Sequence, residues 1–484
     1  MPKYHATPSI LCAIADTNHK CATPFLDQEM KLCSFSYGYT LVGPKTLLSI
    51  RMNKKKLRNP TAIFILTLFF SSFTFADSWW EENLDPTLWT ATWATASKTI
   101  TPFDGPLPTI NDVTIRQIVR ISEGGRMVRV SLTNEFGTAP LNVGEARVAS
   151  RASGSAIDAS SDTALTFGGS TNISIAPGGR AISDPIAMNV ADLSDLVISI
   201  YLPEDVTSSG SPVSYHVRGL QTNYFASGNQ TAAEDLATSE TTVSYFYLAS
   251  VDVANYWEMP VIATFGDSIT DGDQVSTAEP VDLNERYPNL LSEAIIAGGK
   301  AAGVINLGIS GNQVTANFLG ENPAARLNRD IMTQAGVTHV LFVQGINDIG
   351  LPVLLNILGI PTAEVSSDQV IEGHKQIIAR AKAAGLITIG GTLSPSGGSA
   401  LPGYSGDVTE TKRQAVNAWI RDSGAYDVVV DFDAALADSA DPTIMNPALT
   451  ADGLHPNSAG YQVMADTTFA AIGGSLPPRR FEGN

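Results

Sequence analysis

Short apolar runs alternate with amphipathic stretches along the second half of the chain. Apolar runs of this length, bounded by glycine or polar turns, are typical of strands buried on both faces. The predicted strands cover residues 261–265, 304–307, 339–343, 386–390 and 428–432, and the predicted helices cover 285–297, 324–335, 368–384 and 409–423. This order predicts a three-layer α/β/α domain over residues 256–484, with a parallel sheet between two layers of helices.

Residues 77–255 show a different pattern, in which alternating or apolar runs are separated by glycine-rich turns. The predicted strands lie at 115–121, 127–132, 196–202, 242–248 and 249–253. Turns such as Glu123-Gly124-Gly125 and Pro177-Gly178-Gly179 separate them, and helical periodicity is weak. The pattern predicts an all-β domain, a sandwich or jelly roll, ahead of the α/β domain.

A third pattern lies near the N-terminus. The basic stretch at 54–58 precedes an apolar run at 61–70, and the small residue Ala76 follows. These are the parts of a secretory signal peptide, and the apolar run is too short to span a bilayer. We therefore predict a signal peptide at 52–76, cleaved near Ala76, and a secreted or periplasmic protein. Residues 1–51 are interpreted as an upstream extension without stable structure.

The composition of the predicted mature chain limits its partners. All three cysteines (Cys12, Cys21 and Cys33) precede residue 77, so no disulfide, thiolate metal site or lipoprotein anchor is expected. Residues 77–484 contain 21 Lys or Arg against 45 Asp or Glu. Such an acidic chain argues against nucleic acid and anionic membranes as partners. Three histidines without a carboxylate at metal-ligand spacing are interpreted as structural: His216, His339 and His374.

Candidate chemistry begins at the first strand of the α/β domain. Gly266 and Asp267 end the run 261–265, and Ser268 lies where the chain is predicted to turn into a helix. Open α/β sheets bind ligands at the carboxyl ends of their strands, and a helix N-terminus stabilises a nearby oxyanion. Ser268 is therefore a candidate nucleophile. The alternative is that Ser268 only caps the helix.

Two distant segments favour the nucleophile. Asp452 and His455 lie three residues apart near the C-terminus. A neutral histidine can take a proton from serine, and a carboxylate can fix the imidazole tautomer. Asn347 follows the predicted strand 339–343 and offers an amide donor at the end of that strand. We therefore predict that these groups meet Ser268 at one edge of the sheet.

In these segments the chain resembles the SGNH hydrolases, also called GDSL esterases and lipases. Four blocks are matched in order over about residues 256–475: Gly266-Asp267-Ser268-Ile269, with Ile for the usual Leu, Asn306 to Asn312, Gly345-Ile346-Asn347-Asp348, and Asp452-Gly453-Leu454-His455. The elbow Gly-x-Ser-x-Gly of α/β-hydrolases is not met, because Thr270 holds its last position. The resemblance implies the flavodoxin-like fold of the family and a carboxylic ester hydrolase.

The resemblance also implies a role for each matched residue. Ser268 would be the nucleophile, His455 the general base and then acid, and Asp452 the group that orients His455. The oxyanion hole would combine the backbone N–H of Ser268, the N–H of Gly311 and the side chain of Asn347. Gly311 is preferred to Gly308 because the glycine of the family usually follows a serine. No metal ion or cofactor is expected, while Asp271 and Asp348 are interpreted as loop-fixing residues.

The layout suggests a substrate class. A β-rich domain ahead of an SGNH domain resembles bacterial two-domain carbohydrate esterases, so we expect short acyl esters, above all O-acetyl groups on polysaccharide. The apolar segment 349–361, interpreted as a loop that either lines an acyl pocket or buries itself, keeps a second prediction open. That alternative is a lysophospholipase, a lipase or a broad carboxylesterase.

The β-rich domain keeps a non-enzymatic alternative open, in which the protein binds carbohydrate and its hydrolase domain is inert. Four tryptophans could form a sugar-stacking platform or could pack within the protein, and packing is favoured: Trp79, Trp80, Trp89 and Trp93. The complete set of matched catalytic residues argues against an inert domain.

Overall fold

The computed structural model describes residues 88–274 and 280–480. The predicted extension at 1–51 and the predicted signal peptide at 52–76 lie outside the described residues, as do Trp79 and Trp80. No helix of the described part is long and apolar enough to cross a membrane.

Sixteen strands precede the α/β region within the described residues. In chain order, β1 to β16 are Leu88–Ala94, Val113–Arg120, Gly125–Thr133, Leu141–Val143, Glu145–Ser153, Ala156–Ile157, Thr163–Ala164, Ile173–Ile175, Arg180–Ile182, Ile186–Val190, Asp195–Leu202, Tyr215–His216, Asn223–Ser227, Glu240–Thr242, Tyr245–Phe246 and Leu248–Asn255.

These strands form two main antiparallel sheets. One has the order β1-β16-β3-β10, with β9 also paired to β3, and the other has the order β14-β13-β2-β11-β5-β6, with β7 paired to β5. Side chains from both sheets, among them Ile115, Val130 and Ile198, share one buried core. The prediction of an all-β region ahead of the α/β region is confirmed.

One predicted strand of this region is wrong. The segment 242–248 is broken, because β14 ends at Thr242 and β15 pairs with β12 in a separate two-stranded sheet. Tyr247 then takes a φ of +55°, which turns the chain before β16 starts. The alternating pattern of 242–248 carries no sign of this change of direction.

The α/β region contains a parallel sheet of five strands with the order β18-β17-β19-β20-β21. Strands β17 to β21 are Val261–Gly266, Gly303–Asn306, Val337–Val343, Ile387–Gly391 and Val428–Val430. Helices α1 to α8 of the described part are Ser268–Asp271, Tyr287–Ala297, Pro323–Leu327, Ile346–Ile357, Ser367–Ala383, Asp407–Asp422, Phe432–Leu436 and Ser458–Ile472.

Helices cover both faces of the parallel sheet. Phe265 shares a core with Val370 of α5 on one face, whereas Ile262 shares a core with Leu291 of α2 on the other. Strand residues alternate between faces, so an uninterrupted apolar run is what a sheet covered on both sides requires. The predicted three-layer α/β/α arrangement is confirmed.

Three details of this region differ from the prediction. The apolar segment 349–361 is not a loop, because α4 begins at Ile346 and continues through Pro352 to Ile357. The predicted helix 324–335 is split into α3 and a π-helical turn, Asn328–Met332. The predicted strand 428–432 ends at Val430, because Asp431 accepts a hydrogen bond from the N–H of Ala434 and starts α7.

The two regions pack directly on one another. Ala91 of β1 donates its N–H to the carbonyl of Ala335 at 2.9 Å. Val304 of the edge strand β18 donates its N–H to Ser122 Oγ at 3.0 Å, which covers part of that open strand edge. The predicted domain boundary at 255/256 falls between β16 and β17. The β-rich region therefore contacts the edge strand of the parallel sheet directly.

Candidate active site

Ser268 lies two residues beyond the carboxyl end of β17 and opens the short helix α1. Asp267, not Ser268, caps this helix, since its side chain accepts the N–H of Ile269 at 3.1 Å. Gly266 allows the tight turn, because a Cβ at this position would collide with the Val343 carbonyl and the Thr270 side chain. The alternative in which Ser268 is only the helix cap is therefore wrong.

Ser268, His455 and Asp452 form a continuous chain of hydrogen bonds. His455 Nε2 lies 2.9 Å from Ser268 Oγ, and His455 Nδ1 lies 2.8 Å from Asp452 Oδ2. An ionised carboxylate can only accept, so Nδ1 carries the hydrogen in the neutral imidazole and Nε2 accepts from the Ser268 hydroxyl. This is the tautomer in which a histidine can take a proton from serine.

Asp452 is held in place by its own backbone surroundings. Its Oδ1 accepts the N–H of Leu454 at 2.9 Å and the N–H of His455 at 2.8 Å. Partial burial raises the pKa of Asp452, but the hydrogen bond and electrostatic attraction of the His455 side chain, together with the N–H groups of His455 and Leu454, outweigh burial and lower the pKa to about 2. Asp452 is therefore ionised at neutral pH and is able to balance an imidazolium.

The two glycines considered for the oxyanion hole differ in their bonding. Gly308 donates its N–H to Asn306 Oδ1 at 3.0 Å. For the N–H of Gly311, no acceptor lies within the described part of the chain. Gly311 has a φ of +71°, a conformation that glycine adopts without strain. These observations favour Gly311 as the amide that binds an oxyanion, in agreement with the sequence-based preference.

Asn347 occupies the first turn of α4, just beyond the carboxyl end of β19. Its Oδ1 accepts the hydroxyl of Tyr404 at 2.7 Å, and its Nδ2 donates to the carbonyl of Asn312 at 3.2 Å. Because Tyr404 occupies the amide oxygen, the NH₂ group is fixed on the side of the Gly311 loop. Gly311 follows β18 and Asn347 follows β19, the two strands on either side of β17, and the donor group of Asn347 lies against the Gly311 loop.

Two further side chains hold these loops. Asp348 accepts the N–H of Val314 and the N–H of Thr315, both at 2.8 Å. The buried guanidinium of Arg326 donates to the carbonyl of Leu307 at 2.7 Å and to the carbonyl of Gly266 at 3.0 Å. The ends of β17 and β18 and the loop that follows Gly311 are therefore tied together. Asp348 is a loop-fixing residue, as predicted.

Tyr404 and Arg326 were missed by the sequence-based prediction. Tyr404 lies in a glycine-rich loop 57 residues after Asn347, and no spacing rule links the two. Arg326 lies in a segment that looks like an ordinary amphipathic helix. The role of Arg326 becomes clear only in the structure, where its buried guanidinium donates to backbone carbonyls. The sequence does not show that this side chain is buried.

An apolar cluster lies beside Asn347 and His455. It consists of Ile346, Leu351, Leu355, Tyr404 and Leu454. The first two turns of α4 are thus buried by packing, whereas Ile357, Leu358 and Ile360 at its C-terminal end are exposed. The burial alternative for the segment 349–361 is therefore confirmed for its first part, and the acyl-pocket alternative stays a prediction for its exposed end.

The two described tryptophans that were candidates for a sugar-stacking platform make contacts within the protein. Trp93 makes an edge contact with Tyr245, with ring centroids 4.8 Å apart, and Trp89 lies beneath the guanidinium of Arg129 at 4.3 Å. These contacts support the packing alternative for both residues. Within residues 88–274 and 280–480, no group of three or more His, Cys, Asp or Glu side chains is placed to hold a metal ion.

The buried carboxyl of Asp267 makes stability depend on pH. Burial raises the pKa of Asp267 from 3.8 to about 7, against the opposing effect of the Ile269 N–H. The resulting stabilisation is fully present below the unfolded pKa near 3.8 and is lost as the pH rises through about 7.

Asp267→Asn keeps the helix-capping acceptor and removes this titration. We expect the thermal midpoint of Asp267→Asn, taken relative to that of the wild type, to be higher at about pH 8 than at about pH 5. Calorimetry at the two pH values checks this expectation. A difference between variant and wild type that is the same at both pH values contradicts it.

The fold and the site together define a hydrolase in which serine, histidine and aspartate meet at the carboxyl edge of a parallel sheet. Residues 264–463 match the model of the GDSL-like lipase/acylhydrolase family. The C-terminal half of the chain is therefore a GDSL-like acylhydrolase domain, a carboxylic ester hydrolase, preceded by a β-rich region.

Comparison with curated proteins found no match. Solved structures match the α/β region at low identity. An acetylxylan esterase from Geobacillus stearothermophilus is 21% identical, with 44% of this chain and 94% of that chain covered and a TM-score of 0.33. A GDSL-like lipase from Bacteroides thetaiotaomicron is 21% identical, with 45% and 90% covered and a TM-score of 0.34.

Proposed function

We propose that the protein is an exported serine esterase that removes short acyl groups, above all O-acetyl groups of carbohydrate, through an acyl-enzyme on Ser268. The observation that carries the proposal is the hydrogen-bond chain from Ser268 through His455 to Asp452. The basic and apolar pattern at 52–76 supports export, and the acidic composition supports a soluble protein acting on an uncharged ester.

In the first half of the reaction, Ser268 Oγ attacks the ester carbonyl carbon while its proton moves to His455 Nε2. The negative charge on the carbonyl oxygen is stabilised by the N–H groups of Ser268 and Gly311 and by the amide of Asn347. The tetrahedral intermediate then breaks the bond to the alcohol, which leaves with the proton from His455. The acyl group remains on Ser268.

In the second half, His455 takes a proton from water, and the resulting hydroxide attacks the acyl carbonyl. The same donors hold the new oxyanion. Breakdown of this intermediate returns the proton from His455 to Ser268 Oγ and releases the carboxylic acid. Asp452 stays ionised throughout, so it stabilises the imidazolium at each step without itself taking the proton.

The size of the acyl group is inferred from α4. Ile346, Leu351 and Leu355 are used in packing against Tyr404 and Leu454, so they do not line an open acyl groove. The exposed end of the helix favours a second candidate, because Ile357 and Leu358 could contact a longer acyl chain. This second candidate is a lipolytic enzyme or a broad carboxylesterase.

A series of nitrophenyl esters from acetate to laurate separates the two candidates. We expect kcat/KM to be highest for acetate to butyrate and to fall steeply towards octanoate. Acetate release from a panel of acetylated glycans then identifies the natural class of ester. Ser268→Ala, assayed in parallel, gives the background that is not due to the proposed site. A maximum at octanoate or longer, absent in Ser268→Ala, would reject the short-acyl proposal in favour of the lipolytic one.

A further inference from the structure

The loop that carries Gly311 is held by two aspartates from the segment just after Ser268. Asp271 Oδ2 accepts the backbone N–H of Ser310 at 3.2 Å, and Asp273 Oδ2 accepts the hydroxyl of Ser310 at 2.5 Å. Both carboxylates are buried. Ser310 directly precedes Gly311, so these two bonds hold the residue whose carbonyl carbon is bonded to the nitrogen of the proposed oxyanion donor.

Each of these aspartates also faces a basic residue from the β-rich region. His216 Nε2 lies 3.0 Å from Asp271 Oδ1, and Arg218 Nε lies 3.6 Å from Asp273 Oδ1. His216 ends β12, where its Nδ1 lies 2.9 Å from the carbonyl of Ala96. His216, which was predicted to be structural, thus connects the β-rich region through Asp271 to the Gly311 loop.

The hydrogen-bond geometry shows what His216 contributes. The Ala96 carbonyl can only accept, so His216 Nδ1 carries a hydrogen and donates it to that carbonyl, while Nε2 forms the hydrogen bond to Asp271 Oδ1. Arg286 Nη1 also lies 3.8 Å from Asp271 Oδ1. His216 therefore bridges the Ala96 carbonyl and the buried side chain of Asp271.

Removal of the His216 side chain would disturb the Gly311 loop. Burial, together with the nearby charge of Asp271, already raises the pKa of Asp273. A buried carboxyl group that loses a hydrogen-bond partner is destabilised unless it moves to find another one. Such a movement changes the acceptors that hold Ser310, and a small displacement of a catalytic group can lower a rate by about a hundredfold.

We propose that His216 of the β-rich region is a positioning residue for catalysis, which acts through Asp271 and Ser310 to hold the Gly311 amide in the oxyanion hole. The inference rests on the proposed function. This role would make the β-rich region part of the catalytic apparatus, whether or not that region also binds carbohydrate. Arg218 supports the same loop through Asp273.

Steady-state kinetics of His216→Ala test this proposal with a short nitrophenyl ester. We expect kcat to fall about ten- to a hundredfold with KM within about twofold of the wild type, because the loop affects the oxyanion more than the bound ester. His216→Gln retains an N–H donor in the position of Nε2, so it should recover most of the lost kcat.

Glu123→Ala is the matched control. Glu123 also lies in the β-rich region, and its side chain accepts the N–H of Ala302 at 3.0 Å in the α/β region. Within the described residues its side chain forms no hydrogen bond or ion pair with the Gly311 loop. We expect its kcat to stay near that of the wild type. A kcat of His216→Ala within twofold of the wild type, or an equal loss in Glu123→Ala, would overturn the proposal.

Two further variants keep the result interpretable. Ser268→Ala is assayed first: if ester turnover persists in it, the proposed function fails and the loss in His216→Ala has another origin. If His216→Ala does not fold, as judged by circular dichroism, Asp271→Asn carries the test, because it keeps the shape of the side chain and removes its charge. The proposal expects the same loss of kcat at nearly constant KM, and an unchanged kcat in Asp271→Asn would overturn it.

Discussion

Replacement of His455 by alanine is expected to lower kcat for ester hydrolysis by about a thousand- to ten-thousandfold. His455 Nε2 is the acceptor next to Ser268 Oγ, and both halves of the proposed reaction move their proton through it. Without the imidazole, Ser268 would have to lose its proton to water. The expected loss is measured as kcat and KM on nitrophenyl acetate, with KM changed far less than kcat.

His339→Ala is the matched control for this variant. His339 is also a buried histidine of the α/β region, but it lies near the start of β19, and its Nδ1 contacts Thr338 Oγ1. We expect activity close to that of the wild type. If His455→Ala kept kcat within tenfold of the wild type while correctly folded, His455 would not be the general base.

Replacement of Asn347 by alanine is expected to lower kcat by about a hundred- to a thousandfold, the typical effect of removing one donor from an oxyanion hole. The donor acts mainly in the transition state, so KM should change little. Tyr404→Phe removes only the hydroxyl that fixes the amide oxygen of Asn347 at 2.7 Å. Its expected loss is smaller, about three- to tenfold.

The two variants also test each other. Tyr404 is proposed to act through Asn347, so Tyr404→Phe should cause no further loss in the Asn347→Ala background. Asn356→Ala serves as control, because Asn356 lies on the same helix and its exposed side chain, within the described residues, bonds only to the backbone of Thr362. Additive losses in the double variant, or a kcat for Asn347→Ala close to that of Asn356→Ala, would contradict the assigned roles.

The order of elements in the α/β region was predictable because each signal is local. A strand buried on both faces needs a continuous apolar run, and the run at 261–265 predicted β17 to within one residue of its end. The end of helix α5 was also predicted from a local signal, because Gly385 follows the amphipathic stretch and glycine commonly ends a helix. In the structure Gly385 has the expected positive φ.

Errors arose where tertiary contacts override a local signal. The segment 349–361 was interpreted as a loop, yet α4 continues through Gly350 and Pro352. Gly350 lies against the ring of Tyr404, where a Cβ would not fit, so this glycine serves packing instead of ending the helix. Pro352 stays in the helix although it lacks an N–H, because its side chain is buried with that of Leu351.

The residues at the site divide in a similar way. Ser268, Asn347, Asp452 and His455 could be named because each lies in a short motif beyond a predicted strand or near the C-terminus. The structure brings Ser268, His455 and Asp452 together. His216, Arg326 and Tyr404 could not be assigned, because none of them lies in a recognisable motif and only the folded structure shows their contacts.

Covalent labelling tests the central claim, that Ser268 is the nucleophile, most directly. A fluorophosphonate reacts with an activated serine, and mass spectrometry of the digested protein identifies the modified peptide. We predict one phosphonyl group on the peptide that contains Ser268, no label in Ser268→Ala and much slower labelling in His455→Ala. A label on another residue, together with wild-type ester turnover in Ser268→Ala, would contradict this mechanism.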